Sequence, residues 1–178
     1  KLDTSLELSE KSIQLGTTIQ TRQKVWLSEI RLISLFKLTG ENNPHSSPDY
    51  NPGLAVDGQF VFNANSPGDM RTYTHTRTGA ADNKIWIKLG ALFRVYSVRV
   101  WNIRDGSQSR FSGTNIYVDE TLVGTASGNY GFHDFTLPEE KVVYGSKVTL
   151  HQPRADYIIV LEVQVWGNGP YNSTDLFN

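Results

Sequence analysis

Tyr157-Ile158-Ile159-Val160-Leu161-Glu162-Val163-Gln164-Val165-Trp166 is the most apolar stretch of the chain, and it reads as a strand. β-Branched and aromatic side chains dominate it, and these fit a pleated surface better than a helical one. Because Ile158, Ile159, Val160 and Leu161 are consecutive, both faces must be covered, which is the signature of a central strand. The discordant residue is Glu162. A carboxylate in such a strand is costly unless it is paired, coordinated or near an edge.

Upstream the same period recurs. Ile85–Leu89 and Tyr96–Ile103 alternate apolar and polar, and Thr114–Val118, Tyr130–Leu137 and Lys147–Leu150 are further strand candidates. Turn-forming clusters at 105–109, 124–129, 138–145 and 152–156 separate them. Short strands with frequent turns and no helices between them predict an all-β sandwich or jelly roll rather than a βαβ sheet. Residues 23–38, with Val25, Trp26, Leu27, Ile30, Leu32, Ile33, Leu35 and Phe36, are dense enough for either a helix or a pair of strands. Residues 40–83 are rich in Asn, Pro, Ser, Gly and Asp. A stretch of that length without strong periodicity inside a domain is expected to be functional.

Composition narrows the function. With 17 Lys+Arg against 18 Asp+Glu, the chain has no global field to attract nucleic acid or an anionic membrane. No apolar run approaches the roughly 20 residues that cross a bilayer, so no transmembrane segment is expected. The chain has no cysteine, which excludes disulfides, zinc–thiolate sites and a cysteine nucleophile. It starts at Lys1, as expected of a processed or excised segment, and Asn172-Ser173-Thr174 is an N-glycosylation sequon; both point to an extracellular setting.

Enzyme templates are missing: there is no GxSxG, Walker loop, HExxH or GxGxxG. His45, His75, His133 and His151 are scattered without metal-ligand spacing. No catalytic activity is expected. Asp57-Gly58 is a turn whose carboxylate and neighbouring carbonyls suit a hard cation, or else a simple Asx-turn with Glu162 facing solvent or a basic partner. Arg104, Asp105 and Arg110 follow the strand ending at Ile103 and offer either rigid donors for oxygen ligands or a structural ion pair.

Leu54-Ala55-Val56-Asp57-Gly58, Thr74-His75-Thr76, Ile85–Gly90, Val98–Asn102 with Arg104, Asp105 and Arg110, and Leu161–Gly167 occur in the order found in F-type lectins (fucolectins). The chain resembles that family over residues 30–168, and through it the discoidin-like, coagulation factor V/VIII type C domains. Residues 1–29 form an N-terminal extension and 169–178 a C-terminal tail. The resemblance implies an eight-stranded antiparallel jelly-roll sandwich. It also implies a structural Ca2+ held by the main-chain oxygens of Leu54, Gln59 and Leu161, the carboxylates of Asp57 and Glu162, and both oxygens of Thr72.

A sugar site of His75, Arg110 and Arg104 is implied as well, with the first two donating to hydroxyls and Tyr73 packing on an apolar sugar face. This chain departs from the family motif there. Ile103 holds the place of its first arginine, Arg104 stands one position late, the His75–Asp105 interval is one residue longer, and Gly106-Ser107 replace its adjacent cysteines. The expected partner is a glycan, fucosylated or of another type, bound outside the cell. The alternative is a structural module of the same fold that contacts an extracellular or cell-surface protein or a second copy of itself. A phospholipid-binding relative of the group is a weaker third reading, given the polar loops and neutral balance.

Overall fold

The computed structural model describes residues 30–59, 73–77, 79–141 and 143–171. The expectations for the 1–29 extension, Thr72 and the Asn172 sequon fall outside these. Apart from Ile30, the described residues belong to one compact unit, Arg31–Asn178.

Nine antiparallel strands, counted among the described residues, build it: β1 (Arg31–Leu32), β2 (Leu38–Glu41), β3 (Thr74–His75), β4 (Asn83–Asn102), β5 (Asn115–Val118), β6 (Thr121–Thr125), β7 (Phe132–Thr136), β8 (Val143–Gln152) and β9 (Ile159–Tyr171). This is the expected all-β, discoidin-like jelly-roll sandwich. The count differs from eight because two strands are two-residue pairings and β4 is a single ribbon serving both layers. Its first half pairs with β2 and β8, and its second half with β9 and β7. The register against β8 shifts between Lys88 and Phe93, around Gly90 at φ 87°, so the ribbon changes partners at an irregularity that a glycine makes inexpensive.

The period-2 alternation is realised directly. Ile85, Ile87 and Leu89 from the first half of β4 are buried, as are Val98 and Val100 from the second. They meet Ile116, Val118, Val148 and Leu150 from one side and Val163 and Val165 from the other in one continuous core. The stretch 158–163 is buried at every position, as expected of a strand covered on both faces. The 23–38 stretch resolves into β1 and the start of β2 where it is described, with buried Ile33 and Ser34 between them. β6 was not anticipated; it closes a tight hairpin with β5 at Asp119, φ 47°.

Candidate functional site

Two buried amides fix the loops at one end of the sandwich. Asn83, fully buried, donates to the carbonyls of Ala80 (2.9 Å) and Asp156 (2.7 Å), tying the turn before β4 to the turn before β9. Gln152, also fully buried, donates to the carbonyls of Arg110 (2.9 Å) and Ser112 (3.2 Å) and holds the segment after β4. Asn102 completes the frame with bonds to the carbonyls of Gln108 and Tyr130. Buried amides that donate to loop carbonyls in this way rigidify the groups around them.

On this frame sits a ring cluster. His75 stacks on Tyr157 with ring centroids 4.4 Å apart and planes at 19°. His45 and Tyr50 pack on its other sides at 4.9 and 5.3 Å, and Tyr73 lies 5.2 Å from Tyr50. The Arg110 guanidinium lies 4.3 Å over the Tyr157 ring and 3.5 Å from the Asp156 carboxylate. Arg110 and Asp156 are partly solvated, so the pair orients the guanidinium more than it stabilises the fold. A cleft of about 560 Å3 opens beside the cluster between Pro44, His45, Ser46 and Arg77.

The protonation of His75 follows from its surroundings. Burial chiefly holds its pKa below 6.5, and the nearby His45 and Arg110 push the same way against a bond to the Thr76 carbonyl. A carbonyl only accepts, so Nδ1 carries the hydrogen of that contact. Nε2 of the neutral ring is therefore an acceptor, although the sequence reading had His75 as a donor. His45 has the opposite tautomer, because its Nδ1 accepts from the Ser47 amide at 3.0 Å.

The acidic turn is built separately. Pro52–Val56 forms a 3-10 helix capped at its start by the Asn51 side chain, with Asp57 at its end and Gly58 at φ 84°. The Asp57 carboxylate accepts from the Gln59 amide at 2.9 Å, closing an Asx-turn, and Gly58 donates its amide to Glu162 Oε2 at 3.2 Å. Glu162 is fully buried, and its other oxygen, Oε1, has no hydrogen-bond partner among the described residues. Burial raises its pKa to about 8; the Gly58 amide opposes the rise and the Asp57 charge adds to it. The Asx-turn and the approach of the two carboxylates therefore coexist.

The pairing of β9 with β4 contributes a further detail. Trp101 faces Glu162 and Asn102 faces Val160, so Leu161 is the extra residue of a bulge. Such a residue interrupts the regular pairing of the ladder at that point.

Of the expected sugar contacts, His75, Arg110 and Tyr73 share this cluster, with Asp105 near enough to influence the Tyr73 and Tyr157 phenols. Arg104 lies against Gly131 and lines a cavity with Tyr130, Phe132 and His133. Tyr157, Tyr50 and His45 were not singled out from sequence. Tyr157 opens the apolar strand and reads as core, while Tyr50 and His45 lie in an aperiodic stretch where nothing marks a ring as site-forming.

No protein-family model matches the chain, and no curated protein matches it in sequence. Solved structures do match in shape. The fucose-binding module SpX-3 of Streptococcus pneumoniae superposes with a TM-score of 0.62 at 20% identity, over 80% of this chain and 99% of that one. The fold is shared. A fucolectin from striped bass (Morone saxatilis) serum gives 0.64 at 21% identity over 79% of this chain, which spans 48% of that longer protein. A family 32 carbohydrate-binding module from C. perfringens, in complex with galactose, gives 0.60 at 13% over 77% of this chain and 98% of that one. These likenesses establish the fold alone, a discoidin-like jelly-roll sandwich. Among the described residues, no helix is long and apolar enough to cross a membrane.

Proposed function

We propose that the chain is a non-catalytic, lectin-like carbohydrate-binding module acting outside the cell or at its surface. The observation that carries this reading is the His75–Tyr157–Arg110 stack, held on buried amides beside an open cleft. Neutral His75 Nε2 accepts from a sugar hydroxyl while the Arg110 guanidinium donates to the same or the adjacent one. Such a pair recognises a vicinal diol rather than a charge. Tyr73 and the rim of Tyr157 supply apolar faces against sugar C–H groups. The fold's likeness to a fucose-binding module and to a module in complex with galactose supports a glycan as ligand.

The acidic turn fits a Ca2+ ion. A buried carboxylate with one oxygen unpartnered and a second carboxylate close by is unfavourable as it stands, and a hard cation relieves both features. Asp57 and Glu162 would hold it, with Thr72 and the main-chain oxygens of Leu54, Gln59 and Leu161 as the further ligands the resemblance implies. When bound, the ion supplies charge neutralisation and a link between the 52–59 turn and β9.

Glycan-array binding with the wild type, His75→Ala and Arg110→Ala tests the proposal. Binding by the wild type that drops at least tenfold in both variants supports it. A blank array together with concentration-dependent self-association selects the structural module instead. Phe36 and Leu38, 76% and 68% exposed, are the observation that favours that second reading.

A further inference from the structure

Away from the ring cluster, the segment joining β6 to β7, β7 itself and Arg104 line an open cavity of about 440 Å3, in the size range of small-molecule pockets. Its walls include Tyr130 and Phe132, which are 63% and 42% exposed, so two aromatic surfaces are presented to solvent side by side with a cation. Phe132 does not stand alone: its ring packs 5.4 Å from Trp101, and Arg99 lies 5.0 Å above it.

The charges are partitioned. Asp134, which also lines the cavity, is occupied by a two-pronged bond from Arg99 at 2.6 and 2.7 Å. Asp105 accepts from the Ser107 amide at 2.8 Å and acts on the Tyr73 and Tyr157 rings of the other cluster. The Arg104 guanidinium, packed on Gly131, makes no hydrogen bond or ion pair among the described residues. His133 lines the same cavity, is 7% exposed, and keeps a buried Nε2 without a partner among the described residues. A cavity thus holds an unneutralised fork of donors, an unmet polar atom and two exposed rings.

We propose that this cavity is a second saccharide site, separate from the His75 cluster, that takes a sugar bearing a carboxylate. The acid group docks two-pronged on Arg104, the geometry a guanidinium favours, and the apolar face of the pyranose lies on Tyr130 or Phe132. The neutral-sugar cluster offers an acceptor, His75 Nε2, next to an arginine already held by Asp156, so the two sites select on charge. That the ligand is a saccharide rests on the lectin-like reading above; that it is anionic rests on Arg104.

Isothermal titration and amide chemical-shift mapping with methyl β-D-glucuronide and N-acetylneuraminate, against methyl β-D-glucoside, test this. The expected result is binding of at least one acidic sugar, with shifts centred on residues 125–135 and tenfold or greater weakening in Arg104→Gln. His75→Ala should change that affinity less than twofold, whatever it does to a neutral glycan. No binding of either acidic sugar, equal binding of the neutral glycoside, or full retention of affinity in Arg104→Gln overturns the proposal. Because Arg104 is exposed, its replacement leaves the fold intact. A blank neutral-glycan array with glucuronide binding retained would remove the His75 reading and leave this one standing.

Discussion

At the scale of single residues, Tyr157 does two jobs that a sequence cannot separate. It begins the apolar run that becomes β9, and its ring carries both His75 and the Arg110 guanidinium. Tyr157→Phe keeps the ring and should leave glycan affinity within about threefold. Tyr157→Ala removes the stack, worth roughly 0.5–1.5 kcal/mol beyond buried area, and should weaken binding by about tenfold in a titration. Equal affinity for the alanine variant would show that the stack is not part of the site.

Gln152 is the complementary case. It touches no ligand in this account, yet its amide holds the Arg110 and Ser112 carbonyls from a fully buried position. Gln152→Leu strands those carbonyls, so a loss of about 1–3 kcal/mol in denaturant unfolding is expected, together with weaker glycan binding. Nothing in the sequence flags Gln152 or Asn83, since a polar residue near a strand end reads as solvent-facing until the loops that fold over it are known. Glu162, by contrast, was conspicuous, because a carboxylate inside an apolar strand requires an explanation; that the Asp57-Gly58 turn meets it was implied only by the family resemblance, since the two lie far apart in the sequence.

At the scale of elements, strand periodicity made most of the sheet readable, because burial on one face imposes alternation on the sequence. Ile85–Leu89 and Val98–Trp101 display it without interruption. The long β4 ribbon was less legible. Its continuity depends on a register shift near Gly90, and a shift leaves the hydrophobic pattern unchanged on either side. The fate of Arg104 belongs here too. At the exit of β4, Asp105 faces the ring cluster while Arg104 packs on Gly131, so one position of displacement in the motif sends a guanidinium to another cavity.

Gly167 marks where β9 is pinched between its neighbours. A methyl group there would lie 2.5 Å from the Arg94 carbonyl oxygen and 2.7 Å from Ile33 Cδ1. The carbonyl belongs to backbone and cannot swing aside. Gly167→Ala should therefore destabilise the fold by about 1–3 kcal/mol in urea unfolding, the usual cost of overpacking. An unchanged midpoint would mean that β1 and β4 separate from β9 more freely than their pairing indicates.

At the scale of the molecule, stability against pH reports the state of the acidic turn. Glu162 titrates at about 8 in the fold and Glu41, raised by burial, at about 7, both from 4.5. A carboxyl whose native pKa lies above its unfolded value stabilises most when protonated. That contribution is complete below about pH 4.5 and is lost as pH rises through 7 for Glu41 and 8 for Glu162. His75 and His133, both lowered by burial, act on the other limb: their contribution is complete above 6.5 and declines as pH falls through their native values. In chelator, the melting temperature should therefore fall chiefly between about pH 6.5 and 8.5, where the two glutamates ionise and the histidines no longer offset them. Calcium should reverse the Glu162 part, because a cation held by Asp57 and Glu162 stabilises the ionised form, and the ion stabilises whatever state binds it. Melting curves from pH 5 to 8.5, in EDTA and in millimolar calcium, should diverge progressively toward the alkaline end. Glu162→Gln should abolish the divergence and flatten the chelated curve, leaving the smaller decline that Glu41→Gln removes. Superimposed wild-type curves at pH 8, with and without calcium, would overturn the cation site while leaving the jelly roll and its ring cluster intact.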